Sequence, residues 1–521
     1  MKKTMLTAFL MLFAAFIAQA QNLTVHGTVI SRNDGEPLIG ATVLSDATKN
    51  GVATDLDGNF TLTVPENSTL TFSYIGYQST TLKAEAKMTV YLDEMSDLLD
   101  EVVVTGYTVQ RKADLTGAVS VMNMKEPLSE NSGNIMNSMA GKLPGVNVVP
   151  DAAPGGTGSI RVRGMSTANS SNDPLYIIDG VPTDNINCIN PSDIESMQVL
   201  KDAASASIYG SRAANGVVII TTKHGKGDRL TVNVNYAVSA QTIAKRYKVM
   251  DAEQWGQAYW QAAKNSGMTP SHILYGDGPE PVLQKYADGN PNFPLTSTDW
   301  QDEVYHTAWV NNLTASVANN TEKGSVLFSA NYINQNGNII DTFYERFSAR
   351  VNSRFDINKY VSVGENLLVA RWSNRGMDVA GDRGIPFTAL SQMPALPVKG
   401  VNGEWASPMQ LIKSDLANPV QQIKNAADNS SSSWRILGNA FLEVKPVEGL
   451  TLKSNIGVEH SQYLNQNLGR RLNPTDVNYV DEVYGQGDTW TWSNTAFYTN
   501  TFKDVHHFSA LIGTEAIGYT F

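Results

Sequence analysis

A single cysteine, Cys188, stands in 521 residues, so no internal disulfide can form and burial with strand pairing must hold the fold. We read Cys188 as a small filler side chain. Charged residues make up only 17% of the chain and the net charge is -11, a balance that argues against a nucleic-acid partner. Histidines are few, seven in all, and scattered; His506-His507 lies at a tight turn. No nucleophile–base pair or metal-ligand spacing stands out, so an enzyme is disfavoured and neither cofactor nor metal is expected. No glycine cluster meets a Lys-Ser/Thr pair at a helix start, which removes a phosphate-cradling loop.

Long apolar runs are also missing, apart from the start. Lys2 and Lys3 precede the apolar stretch Met5 to Ile17, and Ala18-Gln19-Ala20 comes before Gln21. This pattern predicts a secretory signal over residues 1–20, too short to span a bilayer, with the mature chain outside the cytoplasm. No cysteine follows the Ala-x-Ala site, which argues against a lipid anchor.

Residues 21–95 read as a small β-sandwich. Leu23 to Ile30, Ala41 to Leu44, Phe60 to Val64, Leu70 to Tyr74 and Met88 to Leu92 are short apolar runs between turn clusters such as Asn33-Asp34-Gly35 and Pro65-Glu66-Asn67. Asp55-Leu56-Asp57-Gly58-Asn59 invites a calcium reading, but it lacks the later carboxylates of an EF-hand loop and suits a hairpin turn better. The stretch from His26 to Ser79 resembles the carboxypeptidase regulatory-like domain, which implies a seven-stranded, transthyretin-like fold.

The segment 98–107 follows, with an acidic pair, three valines and a Thr-Gly break. Branching at Cβ makes Val102, Val103 and Val104 favour an extended backbone, and Gly106 stops it. Such a short strand between two domains can pair with the edge of another protein's sheet, or it can be the last strand of the domain before it.

Residues 108–226 change character. Met139-Ala140-Gly141-Lys142-Leu143-Pro144-Gly145-Val146, Ile160-Arg161-Val162-Arg163-Gly164 and Leu175-Tyr176-Ile177-Ile178-Asp179-Gly180-Val181-Pro182 carry glycine signals. Asn190 can cap a turn that begins at Pro191, with Asp193 in its first turn. Ser196 to Leu200 reads as a strand, Ala203 to Tyr209 as a short helix stopped by Gly210, and Val217 to Thr222 as a strand buried on both faces. The strings IRVRGMS, PLYIIDGVP and IESMQVLKDAASASIYGSRAANGVVIITTKHGK resemble the plug domain of SusC/RagA-type TonB-dependent outer-membrane transporters. That resemblance makes Asp100, Glu101, Val102, Val103, Val104, Thr105, Gly106 and Tyr107 a TonB box; Tyr107-Thr108-Val109-Gln110 departs from the commoner Tyr-Gly-Thr-Gln. It marks Arg161, Arg163, Gly164, Asp179, Gly180, Lys201, Asp202, Tyr209, Gly210, Ser211, Arg212, Asn215 and Gly216 as plug-motif positions. For Arg161, Arg163, Lys201, Asp202 and Arg212 we expect ion pairs between plug and wall rather than a ligand site. Gly164, Gly210 and Gly216 read as turn glycines.

Over residues 227–521 the alternation suits a strand with lipid outside and water within. Phe347, Ala349, Val351 and Phe355 share one face, and Ser348, Arg350, Asn352 and Arg354 the other. Leu313, Ala315 and Val317 repeat the pattern, as do Ile436, Ala440, Leu442 and Val444. Trp309, Trp434, Trp490 and Trp492 suit interfacial girdles at strand ends. About nine strands are expected: near 229–239, 309–318, 325–334, 344–355, 361–371, 434–444, 450–462, 488–502 and 506–519. Short links follow every second strand, and longer ones, including Tyr463 to Gly487, follow the others. The helical spacing of Asp251 to Lys264 places Trp255, Tyr259 and Trp260 on a loop helix, for sugar stacking or, in the better reading, for packing. Nine strands leave lipid-facing edges, and such plugged barrels close with about twenty-two, so the chain reads as the amino-terminal portion of a larger barrel.

The expected architecture is therefore mainly β: a sandwich, an α+β plug and part of an antiparallel transmembrane barrel. The resemblance implies import across the outer membrane driven by TonB and its inner-membrane proton-driven complex. It also implies a SusD-type lipoprotein partner and an oligosaccharide or, as runner-up, a peptide cargo. A secreted glycan-binding β-protein is the rival reading. A signal-transducing receptor of the same superfamily is disfavoured, because the sandwich directly follows the signal.

Overall fold

A computed structural model describes residues 22–32, 34–48, 50–74, 77–93, 102–105, 108–111, 119–123, 134–151, 153–165, 167, 169, 171–202, 206–225, 229–377, 384–472, 477–502 and 506–520. The signal segment 1–20 and the box positions Asp100, Glu101, Gly106 and Tyr107 lie outside them.

The amino-terminal unit holds β1 (Asn22–Ser31), β2 (Thr42–Ser45), β3 (Gly51–Ala53), β4 (Asn59–Pro65), β5 (Thr69–Ser73), β6 (Thr80–Lys83) and β7 (Lys87–Leu92). They form two sheets, β4-β1-β7 and β3-β2-β5-β6, so seven strands make a sandwich. Alternation drives it: Phe60, Leu62 and Val64 point into the core while Asn59, Thr61 and Thr63 face out. Val25, Val29, Val43, Leu70, Phe72 and Val90 complete that core. β3 and β6 escaped the sequence reading because they are short, mostly exposed edge strands without an apolar face. The Asp55–Asn59 stretch is a turn: the Asp55 carboxylate accepts from the N–H groups of Asp57 (3.0 Å) and Asn59 (2.7 Å), and Gly58 takes φ 72°.

After the sandwich, β8 (Val102–Thr105) and β9 (Thr108–Arg111) form a two-stranded sheet of their own. The valine run is thus a strand, and its partner is the segment that follows it.

β10 (Val119–Asn123), β11 (Val146–Val149), β12 (Ser159–Val162), β13 (Leu175–Ile178), β14 (Val181–Thr183), β15 (Ile194–Leu200) and β16 (Val217–Thr222) come next. β11 and β12 pair with each other, and the rest form a sheet in the order β10-β15-β16-β13-β14. β16 is central, antiparallel to β15 and parallel to β13, which explains its near-continuous apolar run. The Asn190 side chain caps a 3-10 turn at Pro191–Asp193, accepting from Ser192 N at 3.3 Å. Of the helix expected at Ala203 to Tyr209, residues 203–205 lie outside the described residues and Ala206 is helical; 3-10 turns follow over Ser207–Ala213, and Gly210 (φ 62°, ψ -148°) breaks the helical path between them.

The remainder is an antiparallel meander: β17 (Thr231–Gln241), β18 (Ala308–Thr321), β19 (Gly324–Asn336), β20 (Phe343–Asn358), β21 (Val361–Arg375), β22 (Ser430–Val447), β23 (Leu450–Gly469), β24 (Tyr479–Phe502) and β25 (His506–Thr520). Every expected strand is present. Residues 322–323, 359–360 and 448–449 are the tight links, whereas 242–307 and 376–429 are long. The long link expected between β23 and β24 shrinks to 470–478, because both strands run on through polar rungs such as Gln466–Glu482 (3.0 Å). Trp490 and Trp492 consequently sit within β24, opposite Val458 and Ile456, rather than at a strand end.

Burial on this wall is inverted relative to a soluble sheet. Ser348, Arg350 and Asn352 are buried, while Phe347 is 52% exposed and Ile456 55%. Apolar side chains open to the surroundings suit lipid. Among the described residues no helix is long and apolar enough to cross a membrane.

In the link 242–307 a helix spans Ala252–Asn265, opened by a capping box between Asp251 and Gln254. Trp260 is buried and donates to Gly278 O at 3.1 Å, while Trp255 stacks on Tyr259 and Tyr275 at 5.2 and 5.8 Å between ring centroids. These rings pack the base of the loop, and burial holds the neighbouring His272 below its ordinary pKa.

Candidate functional site

The chemistry-bearing residues of this chain collect where the plug sheet meets the wall. Asp179 and Gly180, at φ 49° and 87°, form the tight turn between β13 and β14, a pairing of residue types that tolerates positive φ. The turn aims the Asp179 carboxylate at the end of β16, where it accepts from Thr222 N (2.9 Å) and the Thr222 hydroxyl (2.7 Å). Arg350 of β20 completes the cluster: its guanidinium pairs with Asp179 and donates to Thr222 Oγ1 (2.6 Å) and Asn352 Oδ1 (3.0 Å). Asn352 donates in turn to Thr222 Oγ1 and to Lys223 O. Both charged side chains are buried, so each neutralises a partner that could not stay charged alone.

A second cluster gathers on Arg435 of β22. One guanidinium nitrogen, Nη1, reaches Glu459 Oε1 (2.5 Å) on β23 and both Asp184 Oδ1 (2.6 Å) and Thr183 Oγ1 (3.0 Å) on the plug. Thr183 also donates to Glu459 at 2.9 Å. Smaller ties add to these: Ser329 donates to Asp193 (2.6 Å), Asn190 to Thr314 (3.3 Å), and Arg346 to Asn187 O. Burial pushes the Asp193 carboxyl up, against the lowering pull of the Ser329 hydroxyl and Arg350. Arg212 of the plug pairs with Glu515 of β25 at 2.5 Å.

The sequence-marked positions divide accordingly. Asp179 and Arg212 do bridge plug and wall. Lys201 does not: its ammonium donates to Ser120 Oγ and Pro144 O, both at 2.8 Å, and ties the plug to itself. Arg163 is exposed in a left-handed conformation (φ 58°), with its backbone N–H donating to Gly145 O. Arg161 lies half-buried on β12 opposite Asn147, and Asp202 offers its carbonyl to Ala206 N. Tyr209 is buried, Ser211 is exposed, and Asn215 holds the carbonyls of Ser171 (3.0 Å) and Asp173 (3.2 Å). Gly164 and Gly216 are turn glycines at φ 108° and 88°; a Cβ on Gly216 would also press on Leu200 O at 3.1 Å. Cys188 is buried, as a filler should be. Among the described residues no group of His, Cys, Asp and Glu could hold a metal.

Sequence reasoning missed Arg346, Arg435, Glu459 and Asp184. A signal existed for Arg435, which occupies the inward position between the outward Trp434 and Ile436.

Comparison with known proteins agrees with this architecture. The family profile described as TonB-dependent Receptor Plug Domain matches residues 111–217, and that of the CarboxypepD_reg-like domain matches residues 25–104. The chain is 33% identical to the TonB-dependent receptor SusC of Bacteroides thetaiotaomicron over 87% of this chain and 43% of that protein. It is 30% identical to TonB-dependent receptor P39 of Formosa agariphila over 97% of this chain and 47% of that one. Among solved structures, the RagAB peptide importer in its "open-open" state superposes with a TM-score of 0.66 at 26% identity, over 80% of this chain and 49% of that chain. The chain thus spans about half the length of the curated relatives it matches.

Proposed function

Because the chain belongs to the SusC/RagA-type TonB-dependent receptors, we propose that it carries the plug and the first part of the wall of an outer-membrane nutrient importer. One observation carries this reading: a wall whose apolar face is open and whose polar face is closed by buried ion pairs to a separate sheet. A rigid soluble protein has no use for that inversion. A stopper that must be held firmly and then yield has a use for it, since ion pairs can be broken one at a time by pulling.

The pull acts at residues 100–107. Val102–Thr105 is extended and belongs to a two-stranded sheet only, so exchanging β9 for a strand of TonB keeps its ladder hydrogen bonds made. The sandwich and this box face the periplasm, where TonB and its proton-driven complex can reach them. A SusD-type lipoprotein covers the outer mouth, and the cargo is an oligosaccharide. A peptide cargo is the second reading, favoured by the likeness to the RagAB peptide importer. A secreted glycan-binding β-protein would leave the open apolar face of the wall without a purpose.

The test is Val103→Pro in the intact membrane protein. Proline removes a ladder donor, so TonB binding and uptake should both be lost while the protein still inserts. Undiminished binding and uptake in that variant would remove the box assignment. Resistance of the protein to carbonate extraction separates the membrane reading from the secreted one.

A further inference from the structure

We propose that Arg371 and Arg375, on the outward face of β21, hold the phosphate of an anionic lipid in the outer leaflet. The proposal rests on the membrane reading above and gives a ligand to a face of the wall that cargo does not touch.

Strand β21 alternates, with Ser362, Gly364, Asn366, Leu368 and Ala370 buried on its inward side. The outward set runs through Val361, Val363, Leu367 and Val369, then changes to Arg371, Ser373 and Arg375 before the long link to β22. Its one interruption, Glu365, accepts the Ser353 hydroxyl beside it. Barrels of this kind carry their longer loops outside, so the change from valine to arginine marks the outer edge of the hydrocarbon. Arg371 stands between Phe347 and Trp434 on the neighbouring strands, both exposed, with its guanidinium 5.4 Å from the centre of the Trp434 ring. Arg375 lies about 13 Å further along the same face at the usual rise of a strand. Its guanidinium sits 5.2 Å from the Phe343 ring centre and donates to the carbonyls of Asn429 and Asp341, each at 3.1 Å.

Charge balance sets these two apart. Arg350, Arg354 and Arg435 of the wall each hold a carboxylate, whereas among the described residues Arg371 and Arg375 pair with none. Neighbouring carboxylates are engaged elsewhere: Asp341 pairs with Lys424 at 2.7 Å and Asp428 with Arg470. Glu345, opposite Ser373 and so between the two arginines, accepts from the Tyr332 hydroxyl at 3.1 Å. Two guanidinium groups against one carboxylate leave the patch positive, directly above apolar side chains that acyl chains must cover. A phosphate carried on those chains answers both features: the chains set its depth, and its oxygens match the guanidinium fork. A zwitterionic headgroup brings a cation of its own and gains less.

Native mass spectrometry of the intact membrane protein in detergent reads the bound lipid directly. The probes are monophosphoryl lipid A, its dephosphorylated form and phosphatidylethanolamine, and we expect retention of the phosphorylated lipid alone. Arg371→Gln breaks no hydrogen bond among the described residues, and Ser373→Glu sets a second carboxylate between the arginines without altering either. Each change should lower retention about tenfold while the protein still resists carbonate extraction. Equal retention of the phosphorylated and dephosphorylated lipids, or retention unchanged in either variant, would overturn the site. Replacement of the lipid by excess inorganic phosphate would overturn the lipid as its ligand. A protein that carbonate extracts fails the membrane reading itself, whereas one that resists extraction and retains no lipid loses this site alone.

Discussion

The sandwich strand β4 and the wall strand β20 are written in the same alternating hand and fold with opposite sense. In β4, Phe60, Leu62 and Val64 are buried and the threonines between them face water. In β20, Phe347 and Phe355 face outward while Ser348, Arg350 and Asn352 are buried. The period of two fixes only that the faces differ. Which face is closed depends on the solvent outside and on what lies within. The sandwich encloses hydrocarbon side chains of its own. The wall encloses a polar surface belonging to another sheet, so its inner face needs charge and hydrogen bonds, and those that reach the plug, such as Arg350–Asp179 and Arg435–Asp184, join residues more than a hundred positions apart.

The comparison can be broken in a graded way. Arg350→Ala strands the buried Asp179 carboxylate and should cost about 3–5 kcal/mol in resistance of the plug to unfolding, read by chemical denaturation of the purified protein. The double change Arg350→Met with Asp179→Leu should recover most of that; if it does not, the pair is more than a neutralised contact. Phe72→Ala in the sandwich core should cost a similar amount, about 3–5 kcal/mol, through lost burial and the cavity left behind, and should leave the wall's melting unchanged. Ile456→Arg, on the open face of β23, should cost about 2–4 kcal/mol when the protein sits in a bilayer. The equivalent outward change in the sandwich, Thr63→Arg, should stay within about 0.5 kcal/mol, since that face meets water. Equal penalties for Ile456→Arg and Thr63→Arg would mean that the wall's apolar face does not meet lipid.

The smallest effect concerns pH. Burial lowers the His272 pKa from 6.5, so the folded loop prefers the neutral ring. As pH falls below about 6.5 the unfolded loop takes up a proton that the folded loop resists, and stability is lost until the lower native value is passed. Trp255 fluorescence should therefore shift in mild acid, and His272→Phe should flatten that response.

Strand positions were largely legible. The nine wall strands, β16 as a buried strand and the Asn190 cap all follow from local pattern, because alternation, β-branching and capping are set by near neighbours in the chain. β3 and β6 were not legible, since edge strands that bury little carry no apolar signature. At Ser207–Ala213 the sequence marked Gly210 as the break in the helical path, and its positive φ makes that break; the 3-10 turn that resumes beyond it carried no local signal. The site was half legible. Asp179 and Arg212 stood in recognisable strings, but nothing in those strings gave Arg350 or Glu515 as partners. Lys201 had the chemistry of a wall contact and found Ser120 and Pro144 instead.

The chain by itself determined its strands, their two-faced character and the valine ribbon at Val102–Val104, because each depends on the side chains of a few consecutive residues. Tertiary structure alone decided that Arg435 would bridge Asp184 and Glu459, and that a cavity would open beside them. A buried charge is stable only where a distant partner is brought to it, and that meeting is a property of how sheets pack, which no local pattern encodes.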